Sequence, residues 1–311
     1  MPSQNEIRQT ITNQIIAALT KGTVPWRRPW SIDKNAGLPA NAVSRRCYSG
    51  INPLLLQIAT DHHGFKSRWW ATYRQWSELG GQVMRRPEHV KAGEWGTDIV
   101  FCKPCRKTTT EPNGDKKEET FFVLRTYTVF SVDQVLGSDV DRFRVGQEPI
   151  AAAEIEDRFE QAEEAVSATG ADIRYGGNQA YYQPVGDYIQ MPHRHQFSTP
   201  DFYDALLHEL CHWSEHKDRL DWDRTKAENT YAIGELIAEL GACFLAGELG
   251  LPLDQSLGNH AAYLQSWLDA MQGDTRFIFR ASSQASKAAD FIFSFSRKEE
   301  PEVVEEAAII I

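Results

Sequence analysis

Ser198-Thr199-Pro200, followed eight residues on by His208-Glu209-Leu210-Cys211-His212, decides how this chain reads. The serine is a hydroxyl N-cap, and a proline at the first helical position completes the start signal. Phe202, Leu206, Leu207 and Leu210 then recur at helical spacing, which puts the H-E-x-x-H string on a buried helix rather than in a loop. Histidines at i and i+4 fall one turn apart on one face, where both rings can point at one cation. Glu209 sits beside them and can take a proton from a water held by that cation. His208 and His212 are therefore expected as metal ligands and Glu209 as the catalytic base. The plainer reading, two surface histidines on an amphipathic helix, fits this apolar context less well.

A catalytic zinc normally keeps three protein ligands and one open position. The third is expected from a second, strongly apolar helix that carries Tyr231, Glu235 and Glu239. Two carboxylates one turn apart on such a helix are costly to bury unless something cationic meets them. Glu235 as ligand, with Glu239 hydrogen-bonding a ligand histidine from behind, resolves that cost; the reverse assignment, Glu239 as ligand, also does. Other sources are weaker. His216 lies a turn beyond His212, too far to share the ion. Asp218 falls where a longer H-E-x-x-H-x-x-G-x-x-H motif places its last ligand, but Glu215 replaces the glycine that lets that helix end abruptly.

The chain has 311 residues, enough for a full core and, by length, two domains. Its net charge of −10 conceals a split: residues 1–136 carry 19 Lys and Arg against 12 Asp and Glu, and the remainder carries 14 against 31. Two surfaces with different partners are implied. Five cysteines, an odd number without a regular framework, suit a reducing cytoplasm, and the lone Cys102-Lys103-Pro104-Cys105 pair reads as plain thiols. No run of 18 apolar residues occurs and the first residues are not a charged, apolar leader, so a soluble, cytoplasmic protein without membrane contact is expected.

Helical periodicity predicts helices over 6–20, from residue 52 through Ile58, and over 71–79, and strands over 98–102 and 121–132 with 108–120 as an exposed loop. In the second half a helix is expected over 151–168, then short strands over 172–175, 180–183 and 187–191. The last of these is expected as the edge strand that aligns substrate. Further helices follow over 261–271 and 282–294. The organisation is residues 1–136, a linker over 137–152, a second domain over 153–296, and an acidic tail, 297–311, whose composition suits disorder.

Six of the nine tryptophans lie in the first 136 residues, interleaved with arginines. Single-stranded nucleic acid is held by such a combination: cations follow the phosphates and flat rings stack on unpaired bases without reading sequence. The candidate contacts are Trp26, Arg27, Arg28, Trp30, Arg45, Arg46, Tyr48, Arg68 and Arg74.

Together these residues resemble a known family. Tyr48-Ser49-Gly50-Ile51-Asn52, Trp70-Ala71-Thr72-Tyr73-Arg74-Gln75-Trp76 and residues 93–100 are similar to the ArdC-type antirestriction domain, which also begins plasmid TraC-type primases. His208 to Trp213 and Glu235 to Leu240 are similar to the zincin-like metallopeptidase domain that accompanies it. The resemblance implies an α+β protein of two domains, a single-stranded-DNA-binding domain and a zincin-like domain of small sheet, active-site helix and third-ligand helix. It implies a gluzincin-like enzyme with Zn2+ or another divalent transition metal such as Mn2+, His208 and His212 as ligands, Glu209 as base and Glu235 as third ligand. Implied partners are single-stranded DNA and, for the peptidase, proteins bound to DNA or a restriction endonuclease. The implied role is protection of plasmid DNA from restriction during conjugation. The competing reading is a protein that only coats single strands, its metal site structural or vestigial.

Overall fold

The computed structural model describes residues 3–27, 33–110, 116–146, 152–222, 230–252 and 263–297. Arg28, Trp30, the side chains of Cys102 and Cys105, and the tail past Arg297 lie outside them. The first helix, α1 (Gln4–Thr20), opens on a capping box in which Ser3 and Glu6 each accept the other's backbone N–H. The next, α2 (Asn52–His63), starts with Pro53 and stops at Gly64, whose φ of +71° is a left-handed position that costs glycine little.

The N-terminal sheet takes the order β1 (Ala40–Asn41), β2 (Trp69–Thr72), β5 (Lys116–Ser131), β4 (Thr97–Thr110), with β1 parallel to β2 and the other neighbours antiparallel. A small pair, β3 (Gln82–Val83) with β6 (Val135–Leu136), flanks it. Two expectations need correction here. Residues 71–79 are not one helix: Trp70 and Ala71 are fully buried in β2, and only Tyr73–Glu78 forms α3, capped by Thr72 and Gln75. Strand pairing on both sides of β2 overrides the helical spacing of the sequence. The hairpin is also longer than expected, with Thr110 paired to Lys116, because its outer rungs are Thr, Lys and Glu and carry no apolar alternation.

In the second half, α4 (Ala152–Ala168) precedes a three-stranded sheet of β7 (Asp172–Tyr175), β8 (Tyr181–Gln183) and β9 (Tyr188–Met191). The strand order is β7-β9-β8. The expected edge strand is therefore central: β9 is hydrogen-bonded on both sides, and β7 and β8 are the edges. Four helices complete the half: α5 (Thr199–Ser214), α6 (Thr230–Leu249), α7 (Leu264–Gly273) and α8 (Phe277–Ser294). Among the described residues no helix is long and apolar enough to cross a membrane.

The fold is α+β, but the two sequence blocks share one principal core. Ile11, Ile15 and Leu19 of α1, Trp26, and Leu54 and Leu55 of α2 pack in one cluster with α5, α6, α7 and α8. Thr12 Oγ1 donates to the Thr275 carbonyl at 3.0 Å. Smaller clusters sit around Trp76 and Trp70 in the first half. Part of the stretch read as a linker is packed into one of these: Val140 and Phe143, on the short 3-10 turn Ser138–Phe143, are fully buried beside Trp76.

Candidate metal centre

Ser198 accepts the Asp201 N–H and Pro200 follows, so α5 begins where the sequence signals it. Phe202, Leu206, Leu207 and Leu210 are buried, each contributing about 1.5–3 kcal/mol relative to exposure, and this fixes the rotation of the helix. That rotation carries His208, Glu209 and His212 to the floor of a cleft of about 1130 Å3, bounded by β8, α5 and α6. Gly241 sets the spacing of α6 against α5: a Cβ there would lie 2.5 Å from Cys211 Sγ, so only glycine lets the helices meet this closely.

Glu235 faces the two histidines. Its Oε2 is 3.6 Å from His208 Nε2 and its Oε1 is 3.6 Å from His212 Nε2. One ligand atom from each of the three lies within 4.8 Å of the other two. Two imidazoles and a carboxylate at this spacing suit a divalent ion. The charge field agrees: burial disfavours the His208 imidazolium, yet the Glu235 carboxylate and the nearby charges of Glu209 and Glu239 outweigh burial and raise its pKa, so the pocket attracts positive charge. Glu215 Oε2 lies 3.9 Å from His212 Nδ1 on the outer side of that ring.

Glu209 points into the cleft with its Oε2 accepting the Tyr182 backbone N–H at 2.8 Å, a bond from the edge strand β8. A brace behind holds this strand. Arg219 donates to Asp187 Oδ2 at 3.0 Å and to the Tyr182 hydroxyl at 3.0 Å, and lies 4.0 Å over the Trp213 ring. The Arg219 guanidinium holds the Asp187 carboxyl down to about 2. Tyr231 and Tyr263 close the far wall, hydroxyl to hydroxyl at 2.9 Å. The sequence carried no signal for the Tyr182 amide, a backbone group, nor for Tyr263, which is remote from the motif.

Glu239 is not among the three convergent residues, which corrects its place as alternative ligand. It is fully buried, and its oxygens accept from Arg27 Nε at 2.6 Å, Arg27 Nη2 at 2.9 Å and Trp26 Nε1 at 3.1 Å. Its charge still acts on His208. Asp204 takes the other end of the guanidinium at 3.0 Å.

The same contacts correct two nucleic-acid candidates, since Trp26 and Arg27 are buried and their polar groups are turned to the acids of α5 and α6. Tyr48 is buried as well, its hydroxyl accepting from Asn41, because it fills the small core with Leu56 and Trp70. Arg45, Arg46 and Arg74 are exposed and Arg68 is half-buried. Asn41 folds the 41–46 turn by accepting the Val43 and Ser44 N–H groups, and its own backbone bonds Arg45 (φ +62°) and Arg46, which close the turn on its returning side. The Arg45 guanidinium lies 4.9 Å over Trp69 and 4.5 Å over Phe143, and Arg68 lies 5.4 Å over Trp69. Trp70 and Trp76 are fully buried, and among the described residues of this half the large exposed rings are Tyr73 and Tyr127. The sequence reading weighted tryptophan and passed over both tyrosines.

Two family models match the chain: the N-terminal domain of anti-restriction factor ArdC over residues 5–130, and a zincin-like metallopeptidase over residues 160–284. An uncharacterized protein, y4eC, from Sinorhizobium fredii (strain NBRC 101917 / NGR234) is 36% identical over 295 residues, which is 92% of this chain and 91% of the relative. The DNA primase TraC of Escherichia coli is 34% identical over 321 residues; the match takes in 97% of this chain but only 28% of the primase. The metal-free crystal structure of the antirestriction ArdC protein from plasmid R388 has a TM-score of 0.73 at 37% identity, covering 94% of this chain and 98% of that one. The Mn(II)-bound structure of that protein gives 0.68 at 36%, covering 94% and 99%.

Proposed function

This chain belongs to the ArdC family of antirestriction proteins, and on that premise we propose that it shields plasmid DNA entering a cell by conjugation from restriction endonucleases. It acts in the cytoplasm, binding single strands without base preference through the first half. Its second half is a zinc-dependent peptidase whose substrates are proteins bound to DNA or the restriction endonuclease itself. The observation that carries the enzymatic part is the convergence of His208, His212 and Glu235 beside Glu209 in one cleft.

Zn2+ held by His208 Nε2, His212 Nε2 and the Glu235 carboxylate would lower the pKa of a water towards 7 and polarise a scissile carbonyl. Mn2+ is the competing metal, since the R388 relative was crystallised with Mn(II). Glu209, oriented by the Tyr182 amide, accepts a proton at its carboxylate and returns it to the leaving amine. Strand β8, at the edge of its sheet beside the cleft, offers its backbone groups other than the Tyr182 N–H, which Glu209 takes, to an extended peptide. On the DNA side, Arg45, Arg46 and Arg74 supply exposed cations, with Arg68 half-buried beside them, and Tyr73, adjoining Arg74, supplies a stacking ring.

Glu209→Gln is the test. The variant keeps the metal ligands, so it should bind metal and single strands as wild type does and lose metal-dependent cleavage of DNA-bound protein. If a wild type fully loaded with Zn2+ or Mn2+ cleaves nothing, the peptidase reading fails. If E209Q protects incoming DNA in a restricting recipient as well as wild type does, protection comes from coating alone.

A further inference from the structure

The buried contacts of Trp26 and Arg27 have a position that burial alone does not explain. Arg27 grips two carboxylates, Asp204 on α5 and Glu239 on α6. Asp204 is one turn before His208 on its helix, and Glu239 is one turn after Glu235 on the other. One guanidinium, 2% exposed, therefore ties together the helices that carry the ligands, one turn from a ligand on each. Its fork takes Glu239 through Nε and Nη2 and Asp204 through Nη1, a planar geometry that lysine cannot reproduce. Trp26 adds its indole N–H to Glu239 Oε1 and packs edge-on against Trp267 of α7, at 6.0 Å between ring centres.

Both residues come from the half of the chain opposite the metal ligands. The chain is fixed again from Asp33 on: Asp33 accepts the Gly146 N–H, and Asn35 donates to the Arg142 and Arg144 carbonyls and accepts from Trp69 Nε1 at 2.8 Å. Trp69 is the ring that Arg45 and Arg68 cover.

We propose that Trp26 and Arg27 are positioning residues for the metal centre: a latch from the N-terminal half that sets the His208 to Glu235 separation by holding Asp204 and Glu239 together. The inference rests on His208, His212 and Glu235 being the ligand set, but not on any catalytic activity. Groups hydrogen-bonded to the ligands alter metal affinity about 10–100-fold when they are lost; the latch bonds residues one turn from a ligand on each helix and acts through both helices at once.

Affinity for Zn2+ in the full-length protein, measured by competition with a chromophoric chelator, together with the visible spectrum of the Co2+ form, tests this. Trp26→Phe keeps a ring against Trp267 but removes the N–H to Glu239 and part of the indole's volume; in a variant that stays folded, its Zn2+ affinity should fall about 3–10-fold. Arg27→Met alone strands two buried carboxylates and can unfold the chain. The triple variant R27M/D204N/E239Q removes the charges together and is the form to compare with it. A folded triple variant should bind Zn2+ 10–100-fold more weakly, with an altered Co2+ band, and R27K/D204N should recover part of the loss. In wild type labelled with 5-fluorotryptophan, the 19F line assigned by W26F should shift on saturation with Zn2+. Wild-type affinity and Co2+ spectrum in a folded triple variant, or an unmoved Trp26 line, would overturn the proposal. If wild type itself takes up no Zn2+ while Glu235→Ala changes nothing, it is the ligand assignment that has failed, not the latch.

Discussion

Gly241→Ala probes how the spacing of two helices creates the site. In an ordinary helix interior this substitution stabilises by about 1 kcal/mol, because glycine loses more backbone freedom on folding. Here the added Cβ would sit 2.5 Å from Cys211 Sγ, 3.5 Å from Cys211 Cβ and 3.7 Å from the Ala285 carbonyl oxygen. The first distance is about 1 Å short of contact. Either Cys211 turns into neighbours that already bury it completely, or α6 moves off α5. Overpacking of that size costs about 1–3 kcal/mol. The net effect is a loss of up to about 2 kcal/mol, opposite in sign to the helix-propensity effect.

Removing the sulfur removes the conflict, since the remaining Cβ contact at 3.5 Å is ordinary. In a Cys211→Ala background, Gly241→Ala should therefore stabilise by about 1 kcal/mol. The coupling between the two substitutions is then about 1–3 kcal/mol, measured as a double-mutant cycle by urea denaturation of the four metal-free proteins. Zn2+ affinity should follow the same pattern, weakened in the single variant and recovered in the double, because the helix separation sets the distance from Glu235 to both histidines. If Gly241→Ala stabilises wild type as much as it stabilises the Cys211→Ala protein, the two helices are not in contact at this point and the argument for the site's spacing falls.

Four further outcomes follow from the structure. Glu235→Gln should weaken metal binding by more than the 10–100-fold typical of an outer partner, and Glu239→Gln by less than Glu235→Gln; equal losses would mean that both carboxylates reach the ion. Asp187, held down to about 2 by Arg219, contributes stability that is fully present above its unfolded pKa near 3.8 and is lost as pH falls through 2. The Asp187→Asn protein should therefore lose the acid-dependent part of its urea midpoint between pH 4 and 2, and an unchanged profile would show the pair to be solvent-screened. Replacing Arg45 and Arg46 by Ala should flatten the salt dependence of single-strand binding by about 0.7 per phosphate released. Tyr73→Ala should cost about 1–3 kcal/mol of affinity with the slope intact, because stacking releases no counterion; a changed slope would place Tyr73 away from the bases.

The parts of the fold that were legible in the sequence are those where local signals and burial agree. The Ser198 cap, Pro200 and the apolar stripe define α5, and their rotation alone puts His208 and His212 on one face. Glu235 could be narrowed to one of two glutamates because buried carboxylates need a partner. Sequence could not separate them, since the partner of Glu239 is Arg27, 212 positions away. The same long-range contact undid the surface reading of Trp26 and Arg27: an arginine beside a tryptophan in a proline-rich loop has the composition of a nucleic-acid contact whether it faces water or a pair of buried acids. Strand β2 was lost to a helical pattern because Trp70 and Ala71 are buried on both faces, which removes the alternation a strand is recognised by. The order of β8 and β9 was beyond reach because both are short, and β8, only Tyr181–Gln183, carries no alternation to place it.

The charge split can now be placed on the molecule. Among the described residues that line the metal cleft there is no lysine or arginine, while Glu209, Glu215 and Glu235 all do. A nucleic-acid strand entering it would bring phosphates against three carboxylates, and a single divalent ion compensates only two of those charges. Nucleases more often assemble two ions with carboxylates so that both the attacking and the leaving oxygen are stabilised. Among the described residues only His208, His212 and Glu235 form a group able to hold an ion. The aromatic lining of Tyr181, Tyr182, Phe197, Trp222, Tyr231 and Tyr263 suits the apolar and cationic side chains of a polypeptide instead. The exposed arginines of the first half supply what the cleft withholds from phosphate, so under the proposed function the strand and the cleaved bond belong on different surfaces. Nicking of single-stranded DNA by the Zn2+-loaded protein, abolished by Glu209→Gln, would reverse this assignment.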